Sequence, residues 1–196
     1  MAPEFLRRKL MARDLRALEE LFTRFYESVY KSAFFITRDR MLAEDVAQET
    51  FLKAYDKIEQ LQDASRVEAW LIRIAMNKAR DELRRRQRQA ASMDDGPEPA
   101  GSTKDLPETR LLARELHLLI NAAIDRLEPE YQDVIFLKYY RDYTTKKIAE
   151  VLQVPEGTVK TRLRKARSLI EAALREEGLI EALQAGGEPR AQGNRQ

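Results

Sequence analysis

Between Gly157 and Arg167 (GTVKTRLRKAR) five side chains carry positive charge and none is acidic. A helix there would put Val159, Leu163, Ala166 and Ile170 on one buried stripe and turn Thr158, Lys160, Thr161, Arg164 and Lys165 outward. Arginine and lysine pair with guanine acceptors in a DNA major groove, and threonines reach bases or phosphates. Arg162 and Arg167 flank the row where phosphates would lie. This is recognition chemistry; it makes and breaks no bonds.

Two other rows have comparable spacing. In WLIRIAMNKARDELRRRQR, Ile72, Met76, Ala79 and Leu83 form the expected core stripe, while Arg73, Asn77, Arg80, Arg84 and Arg88 recur every three or four residues on another face. Guanidinium groups at that interval can track a phosphate backbone and stack on bases. Arg84, Arg85 and Arg86 are consecutive without matching acids, which weakens the case for a purely solvated salt-bridge helix. Trp70, the single tryptophan, opens this helix, and the loop residues Asp63 to Arg66 before it leave room for it beside a nucleic-acid surface.

The third row is of another kind. In AEDVAQETFLKAYDKIEQL, Ala43, Ala47, Phe51, Ala54, Ile58 and Leu61 predict one helix with one core stripe. Asp45, Gln48, Glu49 and Asp56 lie opposite and surround Leu52, an apolar centre with a polar rim of the kind that docks proteins. Periodicity alone favours an ordinary solvated face, so the residues leave both readings open.

These rows need helices to hold them, and the composition supplies helices. Of 196 residues, 35% are charged, while Gly and Pro number seven each. From Asp14 to Arg88 there is neither, so helices meet no usual breaker. Residues Gln89 to Pro107 collect Pro, Gly, Ser and Asp and read as a flexible linker. The expected fold is all-α, with two small helical domains: residues 1–90, a linker over 91–107, a second domain over 108–183, and a disordered tail over 184–196. In the second domain a short helix from about Thr145 to Leu152, a break at Gln153 to Glu156 containing Pro155, and a longer helix from Gly157 make a helix-turn-helix.

Several classes fall away. There is no cysteine, hence no disulfide or thiolate metal site, and the chain fits a reducing cytoplasm. No apolar run is long enough for a membrane span, so no membrane insertion is expected. The lone histidine, His117, has no clustered partner, and no Gly-rich phosphate loop or metal spacing occurs, so neither catalytic residues nor a cofactor nor a metal is expected. The net charge of only +2 means that any nucleic-acid affinity depends on where the cations sit.

In this order the segments EDVAQETFLKAY, WLIRIAMNKARDELRRR, LEPEYQDVIFLKYY and IAEVLQVPEGTVKTRLRKAR resemble the extracytoplasmic-function (ECF) sigma factors, the minimal group of the bacterial sigma-70 superfamily. The resemblance implies that Asp45, Gln48, Glu49, Leu52 and Asp56 grip the clamp helices of the largest subunit of core RNA polymerase. It implies that Asn77, Arg80, Arg84 and their neighbours Arg66, Trp70, Arg73 and Arg88, with the Gln62 to Arg66 loop, read and help open the minus-ten promoter element, and that Thr158, Lys160, Thr161, Arg162, Arg164, Lys165 and Arg167 serve the minus-thirty-five element. It further implies contact with the flap of the second-largest subunit, a linker in which Asp94, Asp95 and Glu98 imitate nucleic-acid charge, and an anti-sigma factor that covers these surfaces.

Two places depart from the family pattern. Lys146 and Lys147 stand where acids are usual, placing positive charge at a helix N-terminus, and Gln153 replaces the glycine expected where the backbone turns left-handed. A stand-alone helix-turn-helix regulator is the alternative function; it leaves the Asp45 face and the arginine row without a role.

Overall fold

The computed structural model describes residues 3–92 and 118–176. His117 and the acids Asp94, Asp95 and Glu98 lie outside them, as do residues 93–107 of the expected linker and the expected tail, whereas residues 91 and 92, expected in the linker, end a helix. Among the described residues every element is helical and no strand occurs. The chain divides into two compact units, Met1–Ala100 with Lys146–Val154, and Gly101–Thr145 with Pro155–Gln196.

In the first unit α1 (Pro3–Met11), α2 (Leu15–Thr37), α3 (Arg40–Asp56) and α4 (Val67–Ser92) are joined by short turns, two of them 3-10 turns at Ile58–Gln60 and Ala64–Arg66. Leu21, Phe25 and Val29 of α2 meet Ala47, Phe51 and Ala54 of α3 and Leu71 and Ala75 of α4 in one core, which α1 closes with Leu6 and Leu10. A second cluster continues it, with Ala33, Leu42, Ala43, Val46 and Ala79 buried and Leu83 packed against them. Buried hydroxyls are satisfied within their own helices: Thr50 donates to the Val46 carbonyl at 2.7 Å and Ser32 to that of Ser28 at 2.7 Å. The stripe from Ala43 to Leu61 is buried as expected, but not on one helix, because α3 stops at Asp56 and Ile58 and Leu61 belong to the turn that follows.

The breaks arise without glycine. Arg13, Arg38, Asp142 and Gln153 take positive φ (59°, 54°, 51° and 55°). Arg13 ends α1 in a Schellman pattern, with Asp14 N–H donating to the Lys9 carbonyl at 3.0 Å and Arg13 N–H to that of Leu10 at 3.0 Å. Arg38 ends α2 by donating to the Phe34 carbonyl, and Asp39 at once starts α3, its carboxylate accepting from Leu42 N–H at 3.1 Å and from Arg86 at 3.0 Å. Two adjacent residues thus turn the chain through a helical hairpin. Gln153 closes α7 (Thr145–Leu152) in the same way, with Val154 N–H on the Ala149 carbonyl at 3.2 Å, so the position where glycine was expected is left-handed. The next helix, α8 (Glu156–Glu176), begins one residue earlier than the sequence suggested.

In the second unit the helical residues 118–125 (α5) are followed by α6 (Pro129–Ile135), with Pro129 at the first position where its missing N–H costs nothing. A π turn, Phe136–Tyr140, extends α6 and buries Phe136 and Leu137. Gln132 ties α6 to α5 by donating to the carbonyls of Ile124 and Asp125, each at 3.2 Å, and α6 packs on α8.

Two outcomes follow from these turns. The Leu42 N–H, then the Arg86 guanidinium, hold the Asp39 carboxyl below its usual value. A depressed folded pKa means the unfolded chain binds the extra proton, so Asp39 stabilises fully above the unfolded value of about 3.9 and loses that contribution as pH falls through the folded one. Asp39→Ala should therefore cost about 1 kcal/mol at neutral pH in urea unfolding, with the gap to wild type narrowing toward about pH 3; a gap that widened there would contradict this role. At Gln153, Gly removes the left-handed strain at some cost in chain entropy, so Gln153→Gly should raise stability by about 0.5–1 kcal/mol, and a lower melting temperature would show that no strain is held there.

Candidate protein-docking and nucleic-acid interfaces

On α3 the buried alanines turn one strip outward. Asp45, Gln48, Glu49, Leu52 and Asp56 are all exposed, Leu52 to 59%. Met41, 77% exposed, lies on the same strip through the steps Met41, Asp45, Gln48, Leu52, and sequence reasoning missed it although the spacing was there. Two apolar side chains thus sit within an acidic and amide-bearing surface. Glu49 pairs with Lys78 of α4, and Asp56 lies 3.8 Å from Arg13, while Asp45 has no ion pair among the described residues. A narrow groove runs between α3 and α4, lined by Asp45, Gln48 and Glu49 on one side and Glu82, Arg85 and Arg86 on the other. Arg85 is held by Glu82 at 2.7 Å and Arg86 by Asp39 at 3.0 Å.

Along α4 the row Arg73, Asn77, Arg80, Arg84, Arg88 is present on one face, but its exposure is graded. Asn77, Arg84 and Arg88 are exposed; Arg73 and Arg80 are half-buried. Burial pushes the Arg73 guanidinium below its usual pKa, and among the described residues it has no ion-pair partner. A cation partly withdrawn from water and unpaired is a place where an incoming anion gains most. Arg84 is only 3.8 Å from Asp81, and Arg88 donates to the Arg84 carbonyl at 3.2 Å.

Trp70 is elsewhere. It is 7% exposed and lies in the core cluster with Leu71, Val67 and Leu6, so it does not share the exposed face of the arginine row as the sequence suggested. The reason is tertiary: the start of α4 packs on the Ala64–Arg66 turn and shares one core with Leu6 and Leu10 of α1, and Val67, Ala69, Trp70, Leu71 and Ile72 are buried. The loop before it is ordered by its own side chains. Asp63 accepts from Ser65 Oγ at 2.6 Å and from Ser65 N–H at 2.9 Å, which, with Arg66 at 3.1 Å, hold its carboxyl below the usual value. Arg66, Ser65 and Gln62 remain exposed at the tip.

On α8 Lys160, Thr161, Arg164 and Lys165 are exposed and Thr158 is half-buried, while Val159, Leu163 and Ala166 are buried beneath them. Arg164 and Lys165 have no ion pair among the described residues; Lys160 is tied to Glu156 at 3.1 Å, and Glu156 also accepts from Thr145 Oγ1 at 2.8 Å. The two flanking arginines are engaged within their own unit. Arg162 is bonded to Glu130 of α6 at 2.6 Å and Arg167 to the Tyr139 hydroxyl at 2.6 Å, so in this structure they brace α8 on α6 and the π turn rather than stand free for phosphate. Lys147 lies 3.7 Å from Glu150, which offsets part of the positive charge at the start of α7. No group of metal-ligating side chains occurs among the described residues, and no described helix is long and apolar enough to cross a membrane.

The family Sigma-70 region 2 matches residues 21–89, which include α3, the loop and most of α4; Sigma-70, region 4 matches residues 117–170, which include α5 to most of α8. The RNA polymerase sigma-H factor of Pseudomonas aeruginosa is 31% identical over 169 residues, covering 82% of this chain and 88% of that one. The ECF RNA polymerase sigma factor SigL of Mycobacterium tuberculosis is 34% identical over 171 residues, covering 86% and 94%. The sigma factor RpoE from Bartonella quintana, solved in complex with the anti-sigma factor NepR, shares the fold with a TM-score of 0.58 at 19% identity, over 80% of this chain and 96% of that one. Two regions matched in order and relatives above 30% identity along nearly their whole length establish that the chain belongs to the ECF sigma factors of the sigma-70 family.

Proposed function

We propose that this sigma factor docks on core RNA polymerase through the α3 strip, with Met41 and Leu52 buried against the clamp helices of the largest subunit and Asp45, Gln48, Glu49 and Asp56 orienting the contact. The observation that carries this is the strip itself: two exposed apolar side chains in line with an unpaired Asp45, on a helix whose other side is packed shut. Apolar centres supply binding energy and charged rims supply register. The half-buried, unpaired Arg73 with Asn77, Arg80, Arg84 and Arg88 then follows the single strand of the opened minus-ten element, and Arg66 with the Gln62 to Arg66 loop reads its bases. Arg164, Lys165, Thr161 and Lys160 enter the major groove at the minus-thirty-five element.

Arg162 and Arg167 act there by holding α8 at its angle, and Trp70 acts by packing under the loop. The second unit also meets the flap of the second-largest subunit. Catalysis belongs to the polymerase, in the cytoplasm, and this chain supplies sequence choice. An anti-sigma factor, such as the one bound to the Bartonella quintana relative, would silence it by covering these faces.

Run-off transcription with core polymerase on a promoter pool tests this. Asp45→Lys with Glu49→Lys should abolish promoter-specific transcripts and core binding while leaving duplex affinity in place. Arg164→Ala should weaken minus-thirty-five binding by about tenfold or more, whereas Arg162→Ala should instead lower the thermal stability of the second unit. Tight duplex binding by the wild type without core association or transcripts would transfer the assignment to a stand-alone regulator.

A further inference from the structure

The turn between α3 and α4 is held by a helix that lies outside the matched Sigma-70 region 2. That match begins at residue 21, whereas α1 spans Pro3–Met11. Leu6 and Leu10 of α1 are buried, at 2% and 0% exposure, in the same cluster as Ile58, Leu61 and Val67, and α1 packs on both 3-10 turns. From the same helix the half-buried Arg7 donates its Nε–H to the Leu61 carbonyl at 2.5 Å, across 54 residues of chain.

That carbonyl has no other evident support. Leu61 is extended (φ −79°, ψ 93°) between the two 3-10 turns, and no main-chain donor among the described residues reaches its oxygen. The turn before it closes on itself through Leu61 N–H to Ile58 O at 3.0 Å, and the turn after it through Arg66 N–H to Asp63 O at 3.0 Å. Each turn is locally rigid, and the joint between them is Leu61 and Gln62. A charged donor on the Leu61 carbonyl fixes the direction in which the second turn, with Ser65 and Arg66 at its tip, leaves the core.

We infer that Arg7 is a positioning residue for promoter recognition: through its bond to the Leu61 carbonyl, α1 sets the orientation of the Gln62 to Arg66 loop. This rests on the reading that the loop reads the minus-ten element, and it adds a specificity determinant outside the matched family region. Arg7 touches no DNA in this scheme. Its effect is on discrimination between bases, and polymerase affinity, which belongs to the α3 strip, is independent of it.

An isosteric pair isolates the bond. Gln places its side-chain N–H at the same number of bonds from Cα as Arg Nε, whereas Met places a methyl there, and both remove the charge. With the full chain and core polymerase, transcripts are compared between a cognate promoter and the same promoter with a substituted minus-ten element. Arg7→Met should lower that ratio by about tenfold, the size of one lost charge-assisted hydrogen bond, with core affinity unchanged, and Arg7→Gln should restore most of it. Amide exchange of residues 62–66 in the free protein should quicken in Arg7→Met and not in Arg7→Gln. Equal behaviour of the two variants in both readouts overturns the inference, provided that Arg66→Ala does lower the ratio. If Arg66→Ala leaves the ratio untouched, the reading of the loop itself fails.

Discussion

The close approach of α3 to its neighbours is the constraint on which the first unit depends. Ala43, Ala47 and Ala54 are wholly buried and Thr50 turns its hydroxyl back to its own helix, so small side chains make up much of the inner side of α3 beside Leu42, Val46 and Phe51. Helices approach to the distance their contact side chains allow, and side chains as small as alanine allow a close one. α2 and α4 therefore close on α3 while the larger side chains, Leu21, Phe25, Phe51 and Leu71, fill the space along one side. A helix locked in this way presents its outer strip as a rigid surface, and the strip holds Met41, Asp45, Gln48 and Leu52 in line. The same closure fixes α4, and with it the direction of the arginine row.

Charge is divided between holding and waiting. The chain carries 35 cations against 33 acids, and several of the cations are held by a carboxylate. Arg85, Arg86 and Lys78 tie α4 to itself or to its neighbours, and Arg162 ties α8 to α6. Exposed pairs of this sort contribute little to stability individually. Their larger effect is on geometry, because each fixes a long side chain that would otherwise sweep a wide volume. Arg73, Arg164 and Lys165 lack such partners among the described residues, so an incoming polyanion would displace water and counterions there rather than an existing ion pair. Net charge says nothing of this arrangement.

The turns show a different economy of means. Glycine is the usual left-handed residue, yet the first glycine of the chain is Gly96, and the helices before it end at Arg13 and Arg38. These arginines accept backbone strain and use their long side chains elsewhere: Arg13 donates to the Tyr55 carbonyl at 2.8 Å, and its guanidinium lies over the Tyr55 ring. A search for Gly or Pro over 14–88 therefore sees one unbroken helical block where the structure has three helices and two short turns. Asp39, directly after Arg38, was the readable signal, since an aspartate before an apolar periodic run is a helix start.

What the sequence determined by itself was everything that depends on period. The stripes Ala43 to Ala54, Ile72 to Ala79 and Val159 to Ala166 are buried and their opposite faces are turned outward, because helical geometry maps spacing directly onto faces. What only the tertiary structure decided was which outward-facing groups are free. Trp70 is covered because it joins a core shared with Leu6 and Leu10, some sixty residues earlier; Arg162 is bound because Glu130, 32 residues earlier, lies beside it; Arg7 reaches Leu61 across 54 residues. Those outcomes depend on contacts between segments remote in the chain, and no local periodicity encodes which remote segment arrives at a given face.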